Sequence, residues 1–390
     1  PDAWLSIGYA SATLVLFLSA PFLGVILDRQ GTRFSFLFWT TIATALAGVL
    51  IQIFGLSIDD WFGRIVTALV FYGCLNLFFQ LSLFVYNTYL KDLGPPTYGG
   101  RMSGIGFGFS NLGSIAGLLL SYPIIAGNIS LFGNSRLSTL IPMAIIFFFV
   151  AIPMIVWAKK LRQRDQQSNV LSGERTRSYG AVYKDIWRDV KETKRYPGVT
   201  RFLLSFYFFS DAQLTIFLFA AIYLERVLAV NDSGKIIIFI ITLVSMTIGA
   251  FLGGWLGDRL GFKRIYLASL ALDTVVILVV ALIPNMTLYY VLFCLYGLSA
   301  GGAYSVARPL LSDLIPYEKK GQFFSLYSLS ERFASILGPL TWGIIVLLVT
   351  SRDALNYRVA ASAMGVFVLI AWAIARKLPI NARNTELSKL

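Results

Sequence analysis

The sequence predicts an all-α polytopic membrane protein. Hydrophobic residues make up 57% of the 390-residue chain and charged residues only 14%, against about 25% charged in a soluble domain. Apolar runs near the roughly 20 residues that cross a bilayer recur along the chain. Lysine and arginine collect in alternate connections between those runs. The pattern is not the short alternating segments of a membrane β-barrel.

Eleven spans are expected, over residues 4–27, 34–55, 62–90, 101–126, 137–158, 201–228, 234–257, 264–284, 286–308, 323–349 and 355–376. Most of the 33 basic residues fall in the connections 28–33, 91–101, 159–201, 258–264 and 308–320 and the tail 376–390. Arg64, Arg136, Arg226, Lys235, Arg352 and Arg358 fall on the other side, and Arg332 lies within a span. The basic side is expected to be cytoplasmic, which puts the linker and the C-terminus inside. The net charge of +13 is then a topological signal and not a nucleic-acid footprint. Cys74 and Cys294 both lie in apolar runs and are expected to be free thiols. The absence of histidine excludes histidine metal sites and histidine proton relays.

One decapeptide occurs twice at a constant offset. Gly24, Asp28, Arg29, Gly31 and Arg33 in GVILDRQGTR match Gly254, Asp258, Arg259, Gly261 and Lys263 in GWLGDRLGFK. Each copy is expected to form a tight cytoplasmic hairpin. Gly24 and Gly254 would allow close backbone approach, and Gly31 and Gly261 a positive φ. The basic residues would sit among anionic head groups. In the second half the motif follows a second span, in the first half a first one. Repeat symmetry therefore leads us to expect one further helix before residue 1, with a true eleven-span protein as the alternative.

These loops resemble the signature of the major facilitator superfamily. The resemblance implies two six-helix bundles, residues 1–158 holding five spans of the first and 201–376 the six of the second. It also implies that Asp28, Arg29, Asp258 and Arg259 gate one transport conformation. Longer stretches are similar to the Atg22-like, vacuole effluxer branch, whose fungal members export amino acids. These are VYNTYLKDL with RMSGIGFGFSNLG, RFLLSFYFFSDAQLT, and GGAYSVARPLLSDLIPYEKKGQFFSLYSLSERFASILGP. That resemblance brings forward Tyr86, Asn87, Arg101, Ser103, Gly104 and Gly106. It also brings forward Asp211, Arg308, Pro316, Phe323, Phe324, Tyr327, Gly338 and Pro339. The chain has Glu331–Arg332 where this branch usually has a glycine before a lysine.

Residues 159–200 form the one sizeable polar segment. Its first half reads as disordered. Tyr183, Ile186, Trp187 and Val190 share a helical face, so a surface-lying amphipathic helix is expected near 181–195. Residues 377–390 read as a short cytoplasmic tail. Asn128, Asn231 and Asn285 each begin an Asn-x-Ser/Thr tripeptide in an expected outer loop.

Charges inside spans are expensive and default to function. Asp211 either faces a cavity, where it can carry a proton, or hydrogen-bonds a neighbouring helix. Glu331 and Arg332 fall near the midplane of their span. Arg332 can bind a carboxylate substrate, and Glu331 can carry a coupling proton. The alternative is an ion pair that locks packing. Asn76, Gln80, Tyr86, Asn87 and Asn111 suggest a polar lining in the first half, and Asp273 suits either role.

The sequence carries no P-loop, metal cluster or nucleophile triad, so an enzyme is not expected and no cofactor is implied. A secondary transporter of a small polar solute, an amino acid by family resemblance, is the main expectation. It would work by alternating access, with protons as a candidate coupling ion. A non-transporting receptor or assembly subunit of a membrane complex is the alternative. The expected partners are the solute and membrane lipids. The chain is expected to be a monomer, with membership of a complex left open. It would sit in a bacterial plasma membrane or a eukaryotic vacuolar membrane.

Overall fold

The computed structural model describes residues 32–89, 99–126, 129, 136–168, 196–283, 285–315, 336–349 and 354–379, with 323, 324, 326, 327, 330, 331 and 334. Among the described residues there are ten α-helices: α1 (Thr32–Ser57), α2 (Trp61–Thr88), α3 (Gly99–Ile125), α4 (Leu140–Ser168), α5 (Pro197–Leu228), α6 (Asp232–Leu260), α7 (Phe262–Leu282), α8 (Met286–Leu314), α9 (Leu337–Leu348) and α10 (Leu355–Arg376).

This corrects the expected eleven spans. Eight helices among the described residues are long and apolar enough to cross a membrane: α1, α2, α4 to α8 and α10. The expected span 4–27 lies outside the described residues. In α3 (Gly99–Ile125) the apolar stretch whose side chains are described is Phe109–Ile125. Of the expected span 323–349, residues 325, 328, 329, 332, 333 and 335 lie outside the described residues, and its last part is the 12-residue α9. Most of the basic linker, 169–195, and the tail beyond 379 also lie outside the described residues.

The chain divides into two compact units. One comprises residues 1–7, 104–119 and 188–390, and the other 8–103 and 120–187. In the second unit α1 packs on α2 and α4. Leu37, Val85, Tyr89 and Ala158 form its buried cluster. The Thr41 and Ser82 hydroxyls meet at 3.2 Å between α1 and α2. The Ile141 N–H, an orphan donor at the start of α4, donates to Gln52 Oε1 at 2.8 Å.

The first unit has the larger core, with Phe202, Phe206, Phe209, Phe219 and Trp342 fully buried. Phe219 and Trp342 stack at 4.9 Å between ring centres. Lipid-filled surroundings give apolar helices no hydrophobic reason to associate, so close packing must hold them. The α6–α8 pair does this through glycine. A Cβ on Gly253 would come within 2.7 Å of Gly302 Cα, and one on Gly249 within 2.7 Å of Leu298 Cα. A Cβ on Gly301 would come within 2.9 Å of Ala250 N. Gly249, Gly253 and Gly257 recur at four-residue spacing and so share one face of α6. Gly254 meets open space. The close approach expected at Gly254 therefore belongs to Gly253, one residue and about 100° away on the helix.

Helix ends follow from local chemistry. Pro197 starts α5, where a missing N–H is harmless. The N–H of Ala229, in the left-handed region at φ 51°, bonds Glu225 O at 3.1 Å and closes the same helix. Asn231 caps α6 by accepting from Gly234 N at 2.8 Å. Asn285 caps α8 by accepting from Leu288 N at 3.2 Å. Capping thus accounts for two of the three Asn-x-Ser/Thr asparagines. Asn128 lies outside the described residues. Both cysteines are free.

Candidate functional site

The segment FYFFSDAQLT in α5 places four polar side chains, Ser210, Asp211, Gln213 and Thr215, in the interior of the first unit. Asp211 is wholly buried. Its Oδ2 accepts from Gly338 N at 2.8 Å, and its Oδ1 has no hydrogen-bond partner among the described residues. The geometry begins with Gly338–Pro339 in the first turn of α9. Proline there has no N–H to lose, which leaves the Gly338 N–H as an orphan donor at the positive end of a helix. The Asp211 carboxylate takes that donor. A Cβ at position 338 would lie 2.9 Å from Asp211 Oδ1 and would also strike the Thr215 hydroxyl. Thr215 in turn donates to Asp211 O at 2.6 Å.

Two residues on, and turned away from Asp211, Gln213 belongs to a second arrangement. Its Nε2 donates to Asp273 Oδ2 at 2.5 Å. Asp273 Oδ1 accepts from the Ser299 hydroxyl at 2.8 Å. The Tyr296 hydroxyl donates to Gln213 Oε1 at 2.5 Å. Gln213 and Asp273 are fully buried. The four side chains tie α5, α7 and α8 together, and both oxygens of Asp273 are occupied. From sequence Asp273 suited either a functional or a structural role. Its partners on two other helices were not visible there.

The remaining expected site residues are placed separately. Glu331 is half-buried and within electrostatic reach of Tyr304 and Tyr327. Arg332 lies outside the described residues. Asn111 Nδ2 donates to Thr247 Oγ1 at 3.5 Å, a long contact from α3 to α6. Tyr86 is 39% exposed, and Asn87 lies in the last turn of α2. Gly24, Asp28, Arg29 and Gly31 lie outside the described residues, and Arg33 sits in the first turn of α1.

The second hairpin is described in full. Gly261 joins α6 to α7 alone, at φ 93°, with its N–H on Gly257 O at 2.9 Å. Asp258 is exposed. The Arg259 guanidinium lies 4.0 Å over the Trp255 ring, a cation–π contact. Lys263 Nζ donates to Leu378 O at 2.5 Å, and Arg201 donates to Lys377 O at 3.0 Å. Both cations thus sit on the carbonyls that end α10. For Lys263 this is a protein partner, where the sequence suggested lipid head groups.

A cavity of ≈ 40 Å³ lies among Ile216, Tyr223, Val280, Phe293, Tyr296 and Trp342. Ligand pockets run to about 300–1,000 Å³, so this void is too small for a solute. Among the described residues no group of three or more His, Cys, Asp or Glu can hold a metal.

The model of the family described as "Vacuole effluxer Atg22 like" matches residues 6–380. The chain belongs to this family. The Atg22-like family is a branch of the major facilitator superfamily. The chain is 24% identical over 344 residues to the uncharacterized MFS-type transporter YxiO of Bacillus subtilis, covering 87% of this chain and 77% of that one. It is 25% identical over 276 residues to autophagy-related protein 22 of Kluyveromyces lactis, covering 64% of this chain and 54% of that one. The match thus spans about half the length of this fungal Atg22 relative. Solved structures share the fold. A bacterial homologue of the iron transporter ferroportin in its inward-facing state superposes with a TM-score of 0.70 at 16% identity, covering 97% of this chain and 90% of that one. A D-xylose-proton symporter superposes with a TM-score of 0.71 at 13% identity, covering 98% and 89%. Asp211 and Gly338, which the Atg22-like resemblance brought forward from distant stretches, meet through a hydrogen bond in the structure.

Proposed function

We propose that the chain is a secondary transporter that carries a small polar solute, an amino acid, across a membrane by alternating access. The observation that carries this reading is Asp211: a carboxylate wholly buried in a membrane-crossing helix, in a chain whose Atg22-like match runs almost end to end. Intramembrane carboxylates mark ion or substrate pathways. Asp211 and Glu331 are the coupling candidates, and Arg332, Asn87, Asn111 and Tyr86 the candidate solute contacts. That a proton symporter shares the fold supports a coupling proton. The Asp28–Arg29 and Asp258–Arg259 loops would bias the inward- and outward-open states.

The test is uptake into proteoliposomes across a panel of amino acids, with and without an imposed pH gradient. Replacing the coupling carboxylate by its amide should abolish pH-driven accumulation and preserve counterflow exchange. Arg332→Lys should raise the KM for a carboxylate solute, because lysine lacks the bidentate fork. Absence of uptake for every amino acid overturns the substrate class. The second reading, a non-transporting subunit of a membrane complex, is favoured by the burial of Asp211, Gln213 and Asp273 in close packing. Absence of any counterflow in purified, folded protein would select it.

A further inference from the structure

The first unit contains two buried carboxylates with opposite circumstances. Asp273 has both oxygens engaged by side-chain donors. Asp211 has one oxygen on a backbone N–H and one with no partner among the described residues. We propose that Asp211 is a proton-operated latch on α9, and that Asp273 is a fixed tie between α5, α7 and α8. This deepens the transport reading and rests on it for its purpose, though not for its test.

The argument is geometric. Ionised Asp211 makes a charge-assisted bond to Gly338 N–H, about twice as strong as a neutral one. Its charge also sits at the positive end of α9. Protonation at the open Oδ1 removes both contributions while leaving the side chain in place. α9 is short, and its first turn has few other ties: Leu340 N–H reaches Ile336 O at 3.3 Å, and Pro339 offers no donor. A loosened first turn frees the segment that leads into Trp342, itself stacked on Phe219 of α5. Several other titratable groups among the described residues are engaged elsewhere. Tyr207, one turn earlier on α5, lies in electrostatic reach of Asp211. On α8, Tyr296 holds Gln213, and Tyr304 neighbours Glu331. On α10, Arg358 holds the end of α7, and Arg376 lies over Trp372.

The test is backbone hydrogen exchange of peptides covering 336–348, in the full chain in lipid nanodiscs. Exchange is followed from alkaline to acid pH and corrected for the intrinsic rate at each pH. In the wild type, exchange in the first turn of α9 should rise roughly tenfold as pH falls, the factor expected when a charge-assisted bond becomes a neutral one. In Asp211→Asn it should stay at the high level at every pH. In Asp273→Asn the pH response should persist. Should Asp211→Asn fail to fold, Asp211→Ser takes its place, since it keeps an acceptor and cannot titrate. Exchange that is flat in the wild type, or a response that persists without a titratable group at 211, overturns the latch. Proton-driven uptake with flat exchange overturns the latch and leaves the transport reading standing. A responsive α9 without proton-driven uptake supports the latch and overturns proton coupling.

Discussion

Asp211 on α5 and Gly338 on α9 are 127 residues apart and meet through one 2.8 Å hydrogen bond from backbone to carboxylate. Neither residue explains the other from its own neighbourhood. The carboxylate needs a donor in a region without water, and the helix start needs an acceptor that its own proline cannot make unnecessary.

Gly338→Ala tests that fit. The added methyl would lie 2.9 Å from both Asp211 O and Asp211 Oδ1, and overpacking of this kind destabilises by about 1–3 kcal/mol. The expected result is a lowered unfolding midpoint in detergent, followed by tryptophan fluorescence. An unchanged midpoint would show that α9 shifts freely away from Asp211.

The Gln213–Asp273 pair calls for a double-mutant cycle. Removing either partner leaves the other buried with an unmade bond, a loss of about 1–3 kcal/mol. Gln213→Ala and Asp273→Ala should therefore each destabilise, and the double variant should lose less than the sum. Additive losses in denaturant titrations would show that the 2.5 Å contact contributes little.

Arg358 is expected to behave as a cap. Its Nε donates to Ala281 O at 2.8 Å, and its Nη2 donates to Leu282 O, so one guanidinium covers two orphan carbonyls at the end of α7. Arg358→Lys keeps the charge and loses the fork. It should cost about 1 kcal/mol, and Arg358→Ala more. A wild-type midpoint for Arg358→Lys, with a loss only in Arg358→Ala, would assign the effect to charge alone.

Much of the fold was legible because membrane helices carry their signal locally. The long runs that became α6, α7, α8 and α10 needed no knowledge of their partners. The start of α9 within the expected span 323–349 was not legible, because average polarity does not reveal where a helix starts. The first turn of α9 is set by Gly338–Pro339 and a carboxylate far away in sequence. Asp211 stood out as a charge in grease. Its partner, and the contrast with the fully satisfied Asp273, belong to the tertiary structure. Gly254 was chosen over Gly253 for the same reason: helix phase cannot be assigned until the facing helix is known.

The glycine register gives the sharpest contrast between two neighbouring substitutions. Gly253 and Gly254 are adjacent and both lie in the last third of α6. A methyl at 253 would come within 2.7 Å of Gly302 Cα and Ser305 Oγ, and one at 254 would meet nothing. Backbone cannot retreat as a flexible side chain can, so Gly253→Ala must push α6 and α8 apart. The expected loss is about 1–3 kcal/mol. Gly254→Ala should be neutral or slightly stabilising, because glycine inside a helix is worse than alanine by about 1 kcal/mol. Thermal unfolding of the two variants side by side, with monodispersity as the control for folding, decides it. Equal losses would mean that α6 is rotated from the phase described. A loss at 254 alone would place the α6–α8 packing on the face that the duplicated motif marks by sequence.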